Sequence, residues 1–158
     1  MRTTPLRRIV SEYYWAEGIQ AQRSWQANDA NRFNGWVQRQ LLLVKAKGHC
    51  VQGHCIPSNQ YTHDGGKQVV DHILKLENIT ELLPALLARY GLGRIELGRS
   101  AARSRTSDDS LDARNFTRET LCMVNDWARL DFYYYGYEMI VPPDVTDGSL
   151  GLGIYTLC

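Results

Sequence analysis

Apolar residues in the first part of the chain recur at helical intervals. From Pro5 to about Gln26, Ile9, Val10, Tyr13, Tyr14 and Ile19 share this spacing, and Pro5 stands where a first helical turn tolerates proline. Phe33, Trp36, Val37, Leu41 and Val44 repeat the rhythm and predict a second helix, ended by Lys45, Lys47 and Gly48. Cations and a glycine at that end suit the negative pole of the helix dipole. Residues 48–68 lose the period and are rich in Gly, His, Cys, Pro, Asn and Gln, which predicts a long loop of the kind that carries function.

Val69, Val70, Ile73, Leu74 and Leu76 surround Asp71 and His72 and predict a short buried strand running to Glu77 and Asn78. A helix follows from about Thr80 to Tyr90, ended by Gly91 and Gly93. Residues 98–115 are polar, with Arg99, Arg103, Arg105, Asp108 and Asp109, and predict a second long loop. Thr117 caps a last helix with Leu121, Val124, Ala128 and Leu130 on its apolar face. That helix leads through Asp131 and Phe132 into Tyr133, Tyr134, Tyr135, Gly136 and Tyr137, and a glycine-rich tail occupies residues 142–158. There is no internal repeat or low-complexity stretch.

Composition adds a bound on size and partners. A chain of 158 residues, 44% hydrophobic and 22% charged, is expected to form one ordinary domain with a core. A formal net charge of +1 removes the global electrostatic case for nucleic acid or a membrane surface and leaves only local anion sites. Four tryptophans and nine tyrosines show no stacking pattern specific to nucleic acid. No apolar run reaches about 18 residues and the start lacks the apolar core of a leader, so the chain reads as soluble, with no direct membrane contact.

The four cysteines leave alternatives open. Cys50 and Cys55 are close enough to close a small disulfide loop or to remain thiols, whereas Cys122 and Cys158 have no obvious partner. Asn78-Ile79-Thr80 and Asn115-Phe116-Thr117 are glycan-acceptor tripeptides compatible with secretory passage, and both asparagines also read as polar residues just before a helix. His49, Cys50, His54, Cys55 and His63 are zinc-ligand types. Their C-x4-C spacing lacks a second pair, so no metal is expected and a small zinc-stabilised interaction domain is the least favoured reading.

Arg2, Arg8 and Ser11 bring guanidinium and hydroxyl groups to the mouth of the first helix, an arrangement that receives a phosphate; the plainer alternative is a surface helix with scattered arginines. Pro5-x-x-Arg8-x-x-Ser11-x-Tyr13 resembles the 3′-phosphate-binding segment of sulfotransferases, R-x-P-x-x-R-x-x-S-x-Y. His54-x-x-Pro57-x-x-Gln60 resembles a loop of the Golgi carbohydrate sulfotransferases, Asp71-His-Ile-Leu-Lys75-Leu-Glu77-Asn78 resembles one of their strands, and Asp131-Phe132-x-x-Tyr135-Gly136-Tyr137 resembles their closing helix. The four matches follow the family order across residues 2–137. Thr3 stands where the family has its arginine, so Arg2 fits with a one-residue slip. A phosphate-cradling K-x-G-T-S/T segment occurs nowhere in the 158 residues, so the chain reads as the later part of the domain over 1–141.

The resemblance implies an α/β, P-loop-like sulfotransferase fold, with this chain as the mainly helical later part carrying one or two strands. It implies transfer of a sulfuryl group from 3′-phosphoadenosine 5′-phosphosulfate to a carbohydrate hydroxyl, by positioning, charge stabilisation and base-assisted proton removal. Arg2, Arg8 and Ser11 would hold the 3′-phosphate. Arg103 and Arg105 would add a second phosphate contact or, alternatively, pair with Asp108 and Asp109 on a solvated loop. His54 would orient or deprotonate the acceptor hydroxyl and Gln60 would bind it, the alternative for His54 being an exposed loop histidine. The resemblance also implies the Golgi lumen and a type II membrane protein of which this is a part. With half of the donor site absent, the 158 residues alone are expected to be inactive, and the rival is a non-catalytic sulfotransferase-like module that binds glycan or protein.

Overall fold

Most of the predicted helical periods form helices in the computed structural model, which describes residues 5–21, 29–48, 55–95 and 111–140. The helices are α1 (Pro5–Ala21), α2 (Ala30–Lys47), α3 (Asn59–Thr62), α4 (Ile79–Arg89), α5 (Arg118–Trp127) and α6 (Arg129–Tyr135); the strands are β1 (His63–Asp64) and β2 (Lys67–Gln68). The chain divides into two compact units: among the described residues, one carries 5–61 and 111–140 and the other 62–95.

Caps fix the helix ends. The Asp29 carboxylate accepts the N–H groups of Asn31 and Arg32 at 2.8 and 3.3 Å, and Gly48, at φ 72°, closes α2 by donating its N–H to the Val44 carbonyl. Thr117 Oγ1 accepts the Thr120 N–H at the start of α5. In the larger unit, Leu6, Ile9, Val10 and Tyr13 of α1 pack with Phe33, Val37 and Leu41 of α2 and with Leu121 and Val124 of α5, joined by Leu111, Ala128 and Phe132. Tyr13, fully buried, meets Phe33 and Trp36 edge-on at centroid distances of 5.1 and 5.5 Å, and Phe33 meets Phe116 at 4.9 Å.

Buried polar side chains fix the register of these helices. Asn34 donates to the carbonyls of Ala30 and Asn115, each at 2.7 Å, and accepts the Thr117 N–H at 2.8 Å. Gln38 donates to Thr120 Oγ1 at 2.8 Å, and the Tyr14 hydroxyl accepts the Leu111 N–H at 2.7 Å. Each bond satisfies a group that would otherwise be costly to bury; those of Asn34 and Gln38 tie the start of α5 to α2, and that of Tyr14 ties α1 to the segment before α5.

The smaller unit departs from the pattern reading. β1 and β2 form an antiparallel hairpin, with His63 opposite Gln68 and Asp64 opposite Lys67, turned by Gly65 and Gly66 at φ 52° and 83°. The buried strand predicted over 69–78 does not form. Val69 is 60% exposed, residues 69–75 are irregular, and Leu76–Asn78 make a 3-10 turn into α4. An apolar run becomes a strand only with a neighbouring ladder, and among the described residues the pairing ends where the Val69 N–H reaches the Thr62 carbonyl. The predicted loop 48–68 is likewise ordered in its second half by α3 and the hairpin.

Asp112 opens a 3-10 turn, Ala113–Asn115, by accepting the Arg114 N–H at 2.8 Å, while Asn115 Oδ1 accepts the Asp112 N–H at 2.8 Å. The hydrogen bond from the Arg114 side chain is the chief cause holding the Asp112 carboxyl below its ordinary value. Asp112→Ala is expected to cost about 0.5–1 kcal/mol at neutral pH, at the low end for a lost cap because the ion pair is solvent-screened. A lowered folded pKa gives stability that is present above the unfolded value and lost as pH falls through the folded one. Urea unfolding of both proteins should therefore show a gap at pH 7 that narrows as pH falls through the ordinary carboxylate range and closes once Asp112 is protonated in the folded state too; a gap that persists in acid would assign the effect to something other than the carboxylate.

Candidate functional site

The segment Cys55–Asn59 is gripped from two sides by helices far away in sequence. From α1, Arg8 donates to Ser58 Oγ at 2.7 Å and to the Ile56 carbonyl at 2.8 Å, with its guanidinium carbon 6.0 Å from the centre of the Trp127 ring. From α5, Trp127 Nε1 donates to the Cys55 carbonyl at 2.7 Å. From α6, Asp131, 2% exposed, accepts the Ser58 N–H on Oδ2 at 2.8 Å and the Asn59 N–H on Oδ1 at 2.7 Å. Pro57 is buried between these contacts. A carboxylate that satisfies two consecutive backbone donors is a strong clamp, and it sets the start of α3.

Beside this clamp lies a shallow pocket lined by Arg8, Ile9, Glu12, Trp36, Val37, Gln40, Leu41, Cys55 and Trp127. About 10 Å³ of it is open to the centre of a water molecule, the room of roughly one water. It does not admit a nucleotide.

The motif on α1 divides by face. Pro5 and Tyr13 are buried and belong to the core, Arg8 is half-buried, and Ser11 is exposed. Ser11 is one turn from Arg8 on the same stripe of the helix and does not line the pocket. Its hydroxyl is thus presented to solvent, while two of the Arg8 donors are spent on the chain itself. Gln60 is exposed on α3, and its backbone N–H bonds the Pro57 carbonyl at 3.1 Å. Arg2, His54, Arg103 and Arg105 lie outside the described residues, as do residues 142–158.

Trp127, Ser58 and Asn34 stand out in no periodic pattern of the sequence. The available signal was the Asp131 position in the closing motif, and only the fold reveals that its partners are Ser58 and Asn59. The cysteine reading also changes. Cys55 is a thiol and Cys122 is disulfide-bonded, so the Cys50–Cys55 loop is not formed; the sulfur that Cys122 meets lies outside the described residues. Proximity along the chain had suggested the first pairing, whereas disulfide geometry selects on distance in space.

Among the described residues no group of three or more His, Cys, Asp or Glu side chains is placed to hold a metal ion, and no helix is long and apolar enough to cross a membrane. His49, Cys50 and His54 of the zinc reading lie outside the described residues. The chain matches no family model, no curated protein and no solved structure.

Proposed function

We propose that this chain is the 3′-phosphate-binding and acceptor-binding part of a sulfotransferase that uses 3′-phosphoadenosine 5′-phosphosulfate to sulfate a carbohydrate hydroxyl, within an α/β fold of the P-loop-like kind. The observation that supports it is the meeting of three motif-bearing segments separated by 50 and 73 residues along the chain. Arg8 of the first, Ser58 within the second, and Asp131 of the last are joined by direct hydrogen bonds. A common phosphate-and-acceptor site requires this convergence, and a surface helix with scattered arginines does not.

In this reading Ser11, exposed beside Arg8, and Arg2 hold the 3′-phosphate, with Arg103 and Arg105 adding charge. Arg8 and Asp131 act as positioning residues for the segment that presents His54 and Gln60 to the acceptor. The disulfide at Cys122 supports an oxidising compartment, in keeping with the Golgi lumen.

Ser11→Ala is expected to weaken binding of adenosine 3′,5′-bisphosphate by about 1–3 kcal/mol, the value of a hydrogen bond to a charged group. Calorimetry on the two proteins measures it, and equal affinities would remove Ser11 from the site. Transfer of labelled sulfate to a glycan panel tests the reaction, using the protein from its own cells and the 158-residue chain. The phosphosulfate-cradling segment is not in these residues, so turnover is expected from the former and only nucleotide binding from the latter. Glycan binding without any nucleotide binding would favour a non-catalytic module, for which the small size of the pocket beside Arg8 speaks.

A further inference from the structure

The two asparagine acceptor tripeptides have unequal surroundings. Asn115 is half-buried: its Oδ1 accepts the Asp112 N–H, its carbonyl accepts from buried Asn34, and the hydroxyl of its Thr117 is engaged with Thr120. Both polar members of that tripeptide are thus employed in starting α5. Asn78 stands at the corresponding place before α4, and its side chain makes no capping hydrogen bond. Asparagine is among the preferred capping residues, yet the Asn78 amide takes no part in starting α4 and is open to solvent. Asn78 and Thr80 are both exposed, and the 3-10 turn Leu76–Asn78 brings the asparagine out just ahead of the helix.

We propose that Asn78 carries an N-linked glycan and that Asn115 does not. The inference rests on the secretory part of the reading above, which the disulfide at Cys122 supports. In the reaction, Asn78 Nδ2 forms a bond to the anomeric carbon of a lipid-pyrophosphate-linked oligosaccharide and loses one proton to solvent. The bond between that carbon and the pyrophosphate oxygen breaks, and the lipid pyrophosphate leaves. The attached sugar projects from an exposed turn and displaces no core side chain, whereas a sugar at Asn115 would crowd a half-buried amide tied to the start of α5.

The test has two arms. In the first, the 158-residue chain is expressed behind a secretion leader in eukaryotic cells and treated with a peptide-N-glycosidase. A single one-glycan mobility step is expected for the wild type and for Asn115→Gln, and its loss for Asn78→Gln. Thr80→Ala keeps Asn78 and removes only the acceptor hydroxyl; it should lose the step, and Thr80→Ser should keep it. In the second arm, protein from its own cells is deglycosylated in heavy-oxygen water, and conversion of Asn78 to a labelled aspartate is read by mass spectrometry. No step in the first arm, or a step that follows Asn115, would overturn the site itself. A step in the first arm with unlabelled Asn78 in the second would overturn the proposal through its compartment, with the site left chemically competent.

Discussion

Replacing Phe33 with alanine is expected to lower the stability of the larger unit by about 3–5 kcal/mol. Phe33 is fully buried where α1, α2 and the approach to α5 meet, and its ring contacts those of Tyr13 and Phe116. Truncation forfeits the transfer free energy of the ring and both aromatic contacts, and the cavity opens among side chains already held in place by neighbouring helices. A domain of this size has roughly 5–15 kcal/mol in total, so the loss is a large fraction of the whole. Phe33→Leu, which refills most of the volume, should cost clearly less. Urea unfolding followed by tryptophan fluorescence measures both, and a Phe33→Ala effect under about 1 kcal/mol would mean that the site collapses around the smaller side chain.

The ease of reading this fold from its sequence varied with how local the deciding interaction was. α2 was legible because its apolar period, basic last turn and terminal glycine all act within the helix itself, and Thr117 announced α5 in the same way. The run Val69–Leu76 misled because apolar, β-branched composition marks burial potential, while a strand also needs a partner. The site was legible at the level of which segments carry it and not at the level of which atoms meet. Arg8 reads as a phosphate ligand from its motif; in the fold its guanidinium holds a loop some fifty residues away in sequence. Asp131 stands in the closing motif, but what it holds is silent in any local pattern because both of its partners are backbone amides on another segment.

Asp131→Ala is therefore expected to act on structure and site together. Removing the carboxylate takes the acceptor from the buried Asn59 N–H and the half-buried Ser58 N–H, a cost of about 2–5 kcal/mol. Asn59 is itself buried, so water reaches these donors poorly and relaxation recovers only part of the loss. Asp131→Asn keeps the shape and one acceptor oxygen but turns an NH2 toward a backbone N–H, and it should fall between wild type and alanine. Hydrogen exchange separates this clamp from general destabilisation: the amides of Ser58 and Asn59 should lose protection ahead of those of Val37 and Val124 in the core. If the segment presents His54 and Gln60 to the acceptor, the active protein carrying Asp131→Asn should show a raised KM for glycan, with affinity for adenosine 3′,5′-bisphosphate, held through Ser11, unchanged. A uniform rise in exchange across all helices, or an equal loss of nucleotide and glycan affinity, would mean that Asp131 supports the fold as a whole and does not position the acceptor segment.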